Sequence, residues 1–373
     1  MSVLAQERSD SSRHVNVLFL PLHSIQWASS RYRVYYYAER LKSYGISPRI
    51  LHPNASTLTA KVVYLARIIM SLFWADVVVI QKKIFRRPLA WLIQCLHGLT
   101  IFDFDDAIYV YDDVQKRLPD VLRASHHVIV GNAHLERYAR QYSSYVTRIP
   151  SPVDCERFSP QPTKRSTADV VTIGWIGQGG NQMYLDQLEP VFARLFQLKG
   201  NSVRLNVISN KTFQLRDCQI TVSNTPWSIE TEVEALREVD IGIMPLSSDE
   251  MSKGRCAFKA LQYMSLGIAT VVSPVGMNQE IIQHGVNGLL ADSEAQWVNA
   301  LLQVIDNPHF RHQLGVAARK TVVQRYSYEA TVPQLAELLK RAGASMREVH
   351  TSQAECRRQD AAAVTERYGG RSV

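Results

Sequence analysis

The stretch from Asp240 to Gly288 constrains the fold more than any other. It reads as an apolar strand (Asp240-Ile-Gly-Ile-Met-Pro-Leu246), a Ser/Asp/Lys/Gly loop, a helix through Gln262 to Gly267, a second strand (Ile268 to Val275) and a Gly-Met-Asn turn. Continuous apolar strands are what a parallel sheet covered on both faces requires, and the loops leaving their carboxyl ends are where such sheets bind ligands. The first of these loops, Ser247 to Arg255, carries Lys253, Gly254 and Arg255 just before a helix. Amide groups, a helix dipole and two cations therefore meet where a phosphate would sit.

The same alternation runs along the chain. Strands are expected at Val15 to Leu20, Ile46 to Leu51, Asp76 to Gln81, Leu99 to Phe104, His127 to Gly131 and Val146 to Ile149, with helices between them. Prolines at 150, 152 and 160 then interrupt the pattern. A second series follows, with strands at Val170 to Ile176, Arg204 to Ile208 and Gln219 to Val222, and a helix from Gln182 carrying an apolar stripe. At 373 residues and 46% hydrophobic content the chain can bury two ordinary cores. The expected division is 14–160 and 161–342, with 1–13 and 343–373 as disordered ends.

The net charge of +8 is uneven: Arg13 to Thr100 holds twelve Lys or Arg against only Glu39 and Asp76. That half favours an anionic partner, such as an anionic membrane surface or a phosphorylated acceptor, or is simply a solvated basic face. No finger, basic zipper or aromatic RNP-type motif supports nucleic acid. The cysteines lack metal-ligand spacing, the amino terminus lacks the apolar core of a signal peptide, and Arg67 and Asp76 interrupt the most apolar window, Val62 to Ile80. A cytoplasmic protein is expected, attached at most peripherally to the inner face of the membrane.

Several residues stand out as candidates. Arg31 and Arg33 fall in the first turn of a helix, where the dipole disfavours cations unless an anion is near; pairing with Asp residues elsewhere is the alternative. Asp103, Asp105 and Asp106 cluster at the end of a strand, able to orient hydroxyls, hold a metal or pair with those arginines. Of the adjacent His126 and His127 at most one can face a site, and His134 opens a helix. Gly177-Gln178-Gly179-Gly180-Asn181 ends a strand just before a helix, which allows close backbone approach to a phosphate. Trp227 is placed either to stack on a base or to pack beneath its loop.

Several runs together resemble the family 4 glycosyltransferases. They are Ile149-Pro-Ser-Pro-Val-Asp154 with Phe158 and Pro160, Gly174-Trp-Ile-Gly177, Ile241-Gly-Ile-Met-Pro-Leu246, Lys259-Ala-Leu-Gln-Tyr-Met-Ser-Leu-Gly267, Ser273-Pro-Val-Gly276 and His284-Gly-Val-Asn-Gly288. The resemblance implies an α/β protein of GT-B type, with two Rossmann-like, doubly wound domains facing a cleft. The amino-terminal domain would take the acceptor and the carboxyl-terminal one the nucleotide-sugar donor, with the last helix crossing back to the first domain. It implies transfer of a sugar from a nucleotide diphosphate to a glycan or lipid-linked acceptor, in surface polysaccharide biosynthesis, with retention and with neither metal nor cofactor.

In that frame Arg255, Lys259 and Lys253 stabilise the leaving diphosphate beside Gly177, Gln178 and Gly179. Gln262, Met277, Asn278 and Glu280 contact the donor, Asp105 and Asp106 orient the acceptor, and Arg31, Arg33 and Asp103 lie on the acceptor side. The family's Glu-x7-Glu pair aligns with Gly254 and Gln262, so both glutamates are absent; Asp249 or Glu250 is the expected substitute. Two alternatives follow from other features: a non-catalytic binding subunit with this fold, or a metal-dependent enzyme centred on Asp103 and Asp105.

Overall fold

The computed structural model describes residues 14–52, 57–160 and 170–345. Its first sheet contains β1 (Val15–Pro21), β2 (Ile46–Ile50), β3 (Val77–Gln81), β4 (Thr100–Phe104), β5 (His127–Val130) and β6 (Val146–Arg148), in the order β2-β1-β3-β4-β5-β6. The second contains β7 (Val171–Ile176), β8 (Val203–Ser209), β9 (Thr221–Pro226), β10 (Ile241–Met244), β11 (Ala269–Val272) and β12 (Leu289–Leu290), in the order β12-β11-β10-β7-β8-β9. Pairing is parallel from β2 through β1 and β3 to β4, and throughout the second sheet. The expected α/β architecture of two doubly wound Rossmann-like sheets is present.

These orders fix where ligand loops converge, because an open parallel sheet binds at the point where its strand order reverses direction. In the first sheet that point lies between β1 and β3. In the second it lies between β7 and β10, so the Gly177 turn and the loop after β10 are neighbours by topology.

By its contacts the chain falls into two compact units. One contains the chain up to Asp103, Pro119–Val128 and the chain from Val332; the other contains Phe104–Leu118 and Ile129–Thr331. The last helix is described over 328–345, so residues 343–345 are helical where a tail was expected. The expected disordered ends at 1–13 and 346–373 lie outside the described residues.

Two elements differ from expectation for local reasons. The helix expected from Gln182 is split into Met183–Asp186 and Glu189–Lys199. Pro190 opens the second piece and cannot continue a preceding helix, since it has no N–H and its ring blocks the carbonyl one turn back. The edge strand expected at Gln219 to Val222 instead pairs from Thr221 to Pro226 along β8. Its polar residues gave no apolar signal because an edge strand is half solvated.

Arg33 and Asp103 settle one open alternative. Arg33 lies in a widened helical turn, Arg31–Tyr35, and its guanidinium grips the carboxylate of Asp103 at the end of β4. Nε reaches Oδ2 at 2.9 Å and Nη2 bonds Oδ1, with Asp103 only 3% exposed. Arg31 is buried too and donates to the carbonyls of Ile25 and Gln26 at 3.3 and 3.2 Å. Of the alternatives open to Asp103, the structure shows the pairing with Arg33, a bidentate contact that uses both carboxylate oxygens. Asp103→Ala should lower unfolding free energy by about 3–5 kcal/mol in denaturant titration, because it strands a buried cation, whereas Arg33→Met with Asp103→Leu should recover most of that loss.

Candidate functional site

Chemistry-bearing side chains of the second unit gather at the carboxyl ends of β7 and β10. The arrangement begins with Tyr263, buried on the helix Phe258–Ser265. Its hydroxyl accepts from Ile176 N at 2.9 Å and donates to Ile243 O at 3.2 Å, tying β7 to β10 immediately below the Gly177 turn. Burial pushes this phenol's pKa upward, so it stays a neutral donor. The ring fits because position 242 has no side chain: a Cβ there would lie 2.3 Å from it.

The glycine turn itself works differently from expectation. Gly177 N bonds Ile208 O at 3.0 Å and Gly179 N bonds Asn210 Oδ1 at 2.8 Å, so these two amides are already occupied. The glycines supply space. A Cβ on Gly177 would stand 2.6 Å from Lys259 Nζ, and one on Gly179 would stand 2.5 Å from the stem of Lys211. Lys259 lies over the Trp175 ring with Nζ 4.1 Å from its centroid. Burial first, then the neighbouring Arg255 charge, lowers its pKa to about 7.

Arg255 reaches the same turn from the loop after β10. Its Nη2 donates to Asn181 Oδ1 at 2.9 Å, its guanidinium lies 5.5 Å from the Tyr184 ring centroid, and its Nε is buried without a hydrogen-bond partner. The loop is fixed on both sides of Gly254, where Asn132 Nδ2 donates to Lys253 O at 3.2 Å and to Arg255 O at 3.0 Å. Next along the chain Ala257 takes a left-handed conformation, φ 51°, unusual for a side-chain-bearing residue. Two cations thus converge on a glycine turn, one of them on the edge of deprotonation.

Residues 169–307 match the model of the family described as Glycosyl transferases group 1. No curated protein matches the chain by sequence. Solved structures do match in fold. Sucrose-phosphate synthase from Thermosynechococcus elongatus is 14% identical with a TM-score of 0.67, covering 89% of this chain and 100% of its own. A glycosyltransferase from Rickettsia africae is 13% identical, with a TM-score of 0.67 and coverage of 88% and 98%. HepE of Anabaena, solved with UDP and glucose, is 13% identical, with a TM-score of 0.64 and coverage of 87% and 99%. The fold is that of the GT-B glycosyltransferases.

Within the matched residues 169–307, the structure brings Arg255 and Lys259 to the turn Gly177, Gln178, Gly179, but not Lys253. The Lys253 ammonium pairs with Glu250 at 2.9 Å, three residues back on the short helix Glu250–Lys253. Glu250 also meets His134 Nε2 at 3.0 Å, and that nitrogen lies 2.9 Å from the Tyr109 hydroxyl. Asp249 caps the helix, accepting from Ser252 N at 2.8 Å and Ser252 Oγ at 3.1 Å. Both proposed substitutes for the missing glutamates are therefore engaged.

Position 254 is closed outright: a Cβ there would lie 2.5 Å from the Ala107 Cβ and 2.6 Å from its backbone nitrogen. Asp105 and Asp106 immediately precede Ala107 on that loop, and Asp105 O accepts the Cys256 thiol at 3.1 Å. Gln262 is 4% exposed and its amide has no hydrogen bond among the described residues. Met277 and Asn278 are buried, with Asn278 Nδ2 on Ser273 O at 2.9 Å. Glu280 accepts from Ala133 N at 3.1 Å and pairs with Arg148 at 2.9 Å, so its carboxylate is held rather than open. Trp227 is half-buried and donates to Glu232 at 3.0 Å, while His126 is exposed and His127 half-buried.

Sequence reasoning missed Tyr263, Asn132 and Ala107. Each acts through a contact with residues far along the chain, which no local pattern reports.

The lowered pKa of Lys259 has a definite sign for stability. The folded state prefers the neutral amine, so a penalty grows as pH falls from the ordinary lysine value toward about 7 and is constant below it. Lys259→Met should therefore gain thermal midpoint relative to the native chain as pH is lowered from about 10 to about 6; a difference that does not change with pH would contradict the burial of this ammonium.

Proposed function

We propose that the chain is a nucleotide-sugar-dependent glycosyltransferase of the retaining, metal-independent kind, acting on a glycan or lipid-linked acceptor in surface polysaccharide biosynthesis. The observation that carries this reading is the convergence of Arg255 and Lys259 on the Gly177 turn at the reversal point between β7 and β10. As the bond from the sugar's anomeric carbon to the diphosphate oxygen breaks, its electron pair leaves with the diphosphate. Cations fixed there in advance stabilise that charge without reorganising. The acceptor hydroxyl, oriented by Asp105 or Asp106, forms the new bond from its oxygen to the same carbon, and its proton passes to the departing diphosphate oxygen.

Gln262, with a buried amide that still has its donors and acceptor to offer, is assigned to a ribose or sugar hydroxyl. UDP is the first donor nucleotide to test, since structures similar in fold, HepE and TarM among them, were solved with it. Calorimetric titration with UDP and GDP should show binding that Arg255→Ala weakens about tenfold or more, the loss of a charge-assisted contact to phosphate. Affinity should fall from about pH 7 to about pH 9 as Lys259 loses its proton, and Lys259→Met should flatten that slope. Failure of every nucleoside diphosphate to bind would sink the reading.

A second reading is favoured by one observation, the steric closure of position 254 where the resemblance places a glutamate. It makes the chain a binding subunit that holds nucleotide or glycan without turnover. Nucleotide binding with no sugar transfer to any acceptor in a panel would select it.

The acceptor side is proposed to rest on an anionic membrane surface. The helices Leu58–Trp74 and Arg87–Leu96 expose Leu58, Val62, Met70, Phe73 and Trp91, with Phe73 75% and Met70 71% exposed. Lys61, Arg67, Arg86 and Arg87 are exposed around them, and Asp76 is the one acidic residue from Arg40 to Phe102. Apolar side chains ringed by cations suit a helix lying in the interface of an anionic bilayer. No described helix is long and apolar enough to cross one. The native chain should float with phosphatidylglycerol-containing vesicles and not with phosphatidylcholine alone, and Phe73→Asp with Met70→Asp should abolish flotation.

A further inference from the structure

The first sheet has its own reversal point, between β1 and β3, and the loops leaving it carry a cluster that the sequence did not single out. His23 follows β1 and stacks on the exposed Trp27, ring centroids 4.5 Å apart. His52 stands two residues beyond β2, the strand beside β1. Lys82 and Lys83 leave β3 directly, and Lys82 holds a left-handed conformation, φ 56°. Among the described residues, only Lys82 and Ala257 do so without being glycine. The Lys83 ammonium bonds the Tyr64 hydroxyl at 2.9 Å and lies 4.9 and 5.0 Å from the Tyr64 and Phe85 ring centroids.

His23, His52 and Lys83 press on one another with no counter-charge among the described residues. Burial lowers the pKa of His23, and the charges of Lys82 and His52 lower it further. Burial and then Lys83 lower that of His52, and burial lowers that of Lys83 to about 8. Among the described residues no carboxylate bonds His23, His52 or Lys83. Three half-buried bases with aromatic walls and no acid form a site whose charged forms are favoured only when an anion arrives. A carboxylate offers two oxygens and a sulfate ester a single charge, whereas a phosphoryl group carries about −1.5 to −2 charge at pH 7 on three acceptor oxygens.

We propose that this cluster is a subsite for a phosphoryl group on the acceptor, received by Lys83, His52 and His23 while Trp27 offers its face to the adjoining sugar. The assignment to an acceptor rests on the glycosyltransferase reading; the binding of a phosphoryl group does not. The source is either a soluble sugar phosphate or a lipid-linked phosphate, and glucose 1-phosphate and farnesyl phosphate separate the two as probes.

The test is calorimetry on the full chain with each probe in the presence of UDP, comparing the native protein, His52→Gln with Lys83→Gln, Lys83→Arg and Arg255→Ala. At least one probe should bind the native chain and bind the double variant about tenfold or more weakly, while Lys83→Arg and Arg255→Ala retain it. Should the double variant fail to fold by thermal melting, His52→Gln alone is expected to weaken the same probe. Binding that is absent from the native chain, unchanged in the variants, or lost in Arg255→Ala instead would overturn the proposal. If the probes bind through Lys83 and no nucleoside diphosphate binds at all, the phosphoryl site stands and the transferase reading falls; the reverse result separates them the other way.

Discussion

One hydroxyl group holds the carboxyl ends of β7 and β10 together. Tyr263 takes the amide of Ile176 and gives its proton to the carbonyl of Ile243, so that two strands joined at the sheet's reversal point are pinned at the level of the turn above them. Neither backbone group has water to fall back on, and a buried polar group left unpaired costs more than an ordinary hydrogen bond gains. The placement depends on Gly242, whose missing side chain is the space the ring occupies. From there the rest follows in order: the Gly177 turn is held over the strand ends, Lys259 rises from Tyr263's own helix, and Arg255 arrives on a loop clamped by Asn132.

The two sheets use one rule at different addresses. Both reverse strand order once, and both collect cations at that reversal, yet the first reverses between its first and third strands and the second between its first and fourth. Each site also includes one residue in a left-handed conformation that carries a side chain, Lys82 in one and Ala257 in the other. Such conformations cost of order 1–3 kcal/mol and persist only where the surroundings impose them. Their positions beside the two clusters indicate that loop geometry there was retained at the expense of backbone comfort.

The sequence displayed the architecture well because parallel strands buried on both faces leave continuous apolar runs, and these bracket most of the observed strands. The loops after β7 and β10 were legible for the same reason. Lys253 misled because proximity in sequence to a glycine loop says nothing about which way an ammonium turns, and Glu250 lies three residues back to claim it. The pairing of Asp103 with Arg33 was legible only as one alternative among several, because the two are seventy positions apart. The Gly177 and Gly179 amides were expected to cradle phosphate, but Ile208 and Asn210 from a different strand end already occupy them. The His23, His52 and Lys83 cluster escaped notice altogether: three strands bring together residues that no window along the chain contains.

The closure at Gly254 reaches beyond the missing glutamate. Both the methyl group and the backbone nitrogen of Ala107 stand where a side chain would begin, so trimming residue 107 to glycine would not reopen the place. A glutamate here, which the resemblance would call for, is therefore not reached by a single substitution, nor by any pair confined to these two side chains. Under the proposed sugar-transfer reading, whatever holds the donor sugar has to come from another direction, with the loop of Asp105 to Ala107 forming part of the wall it must work around.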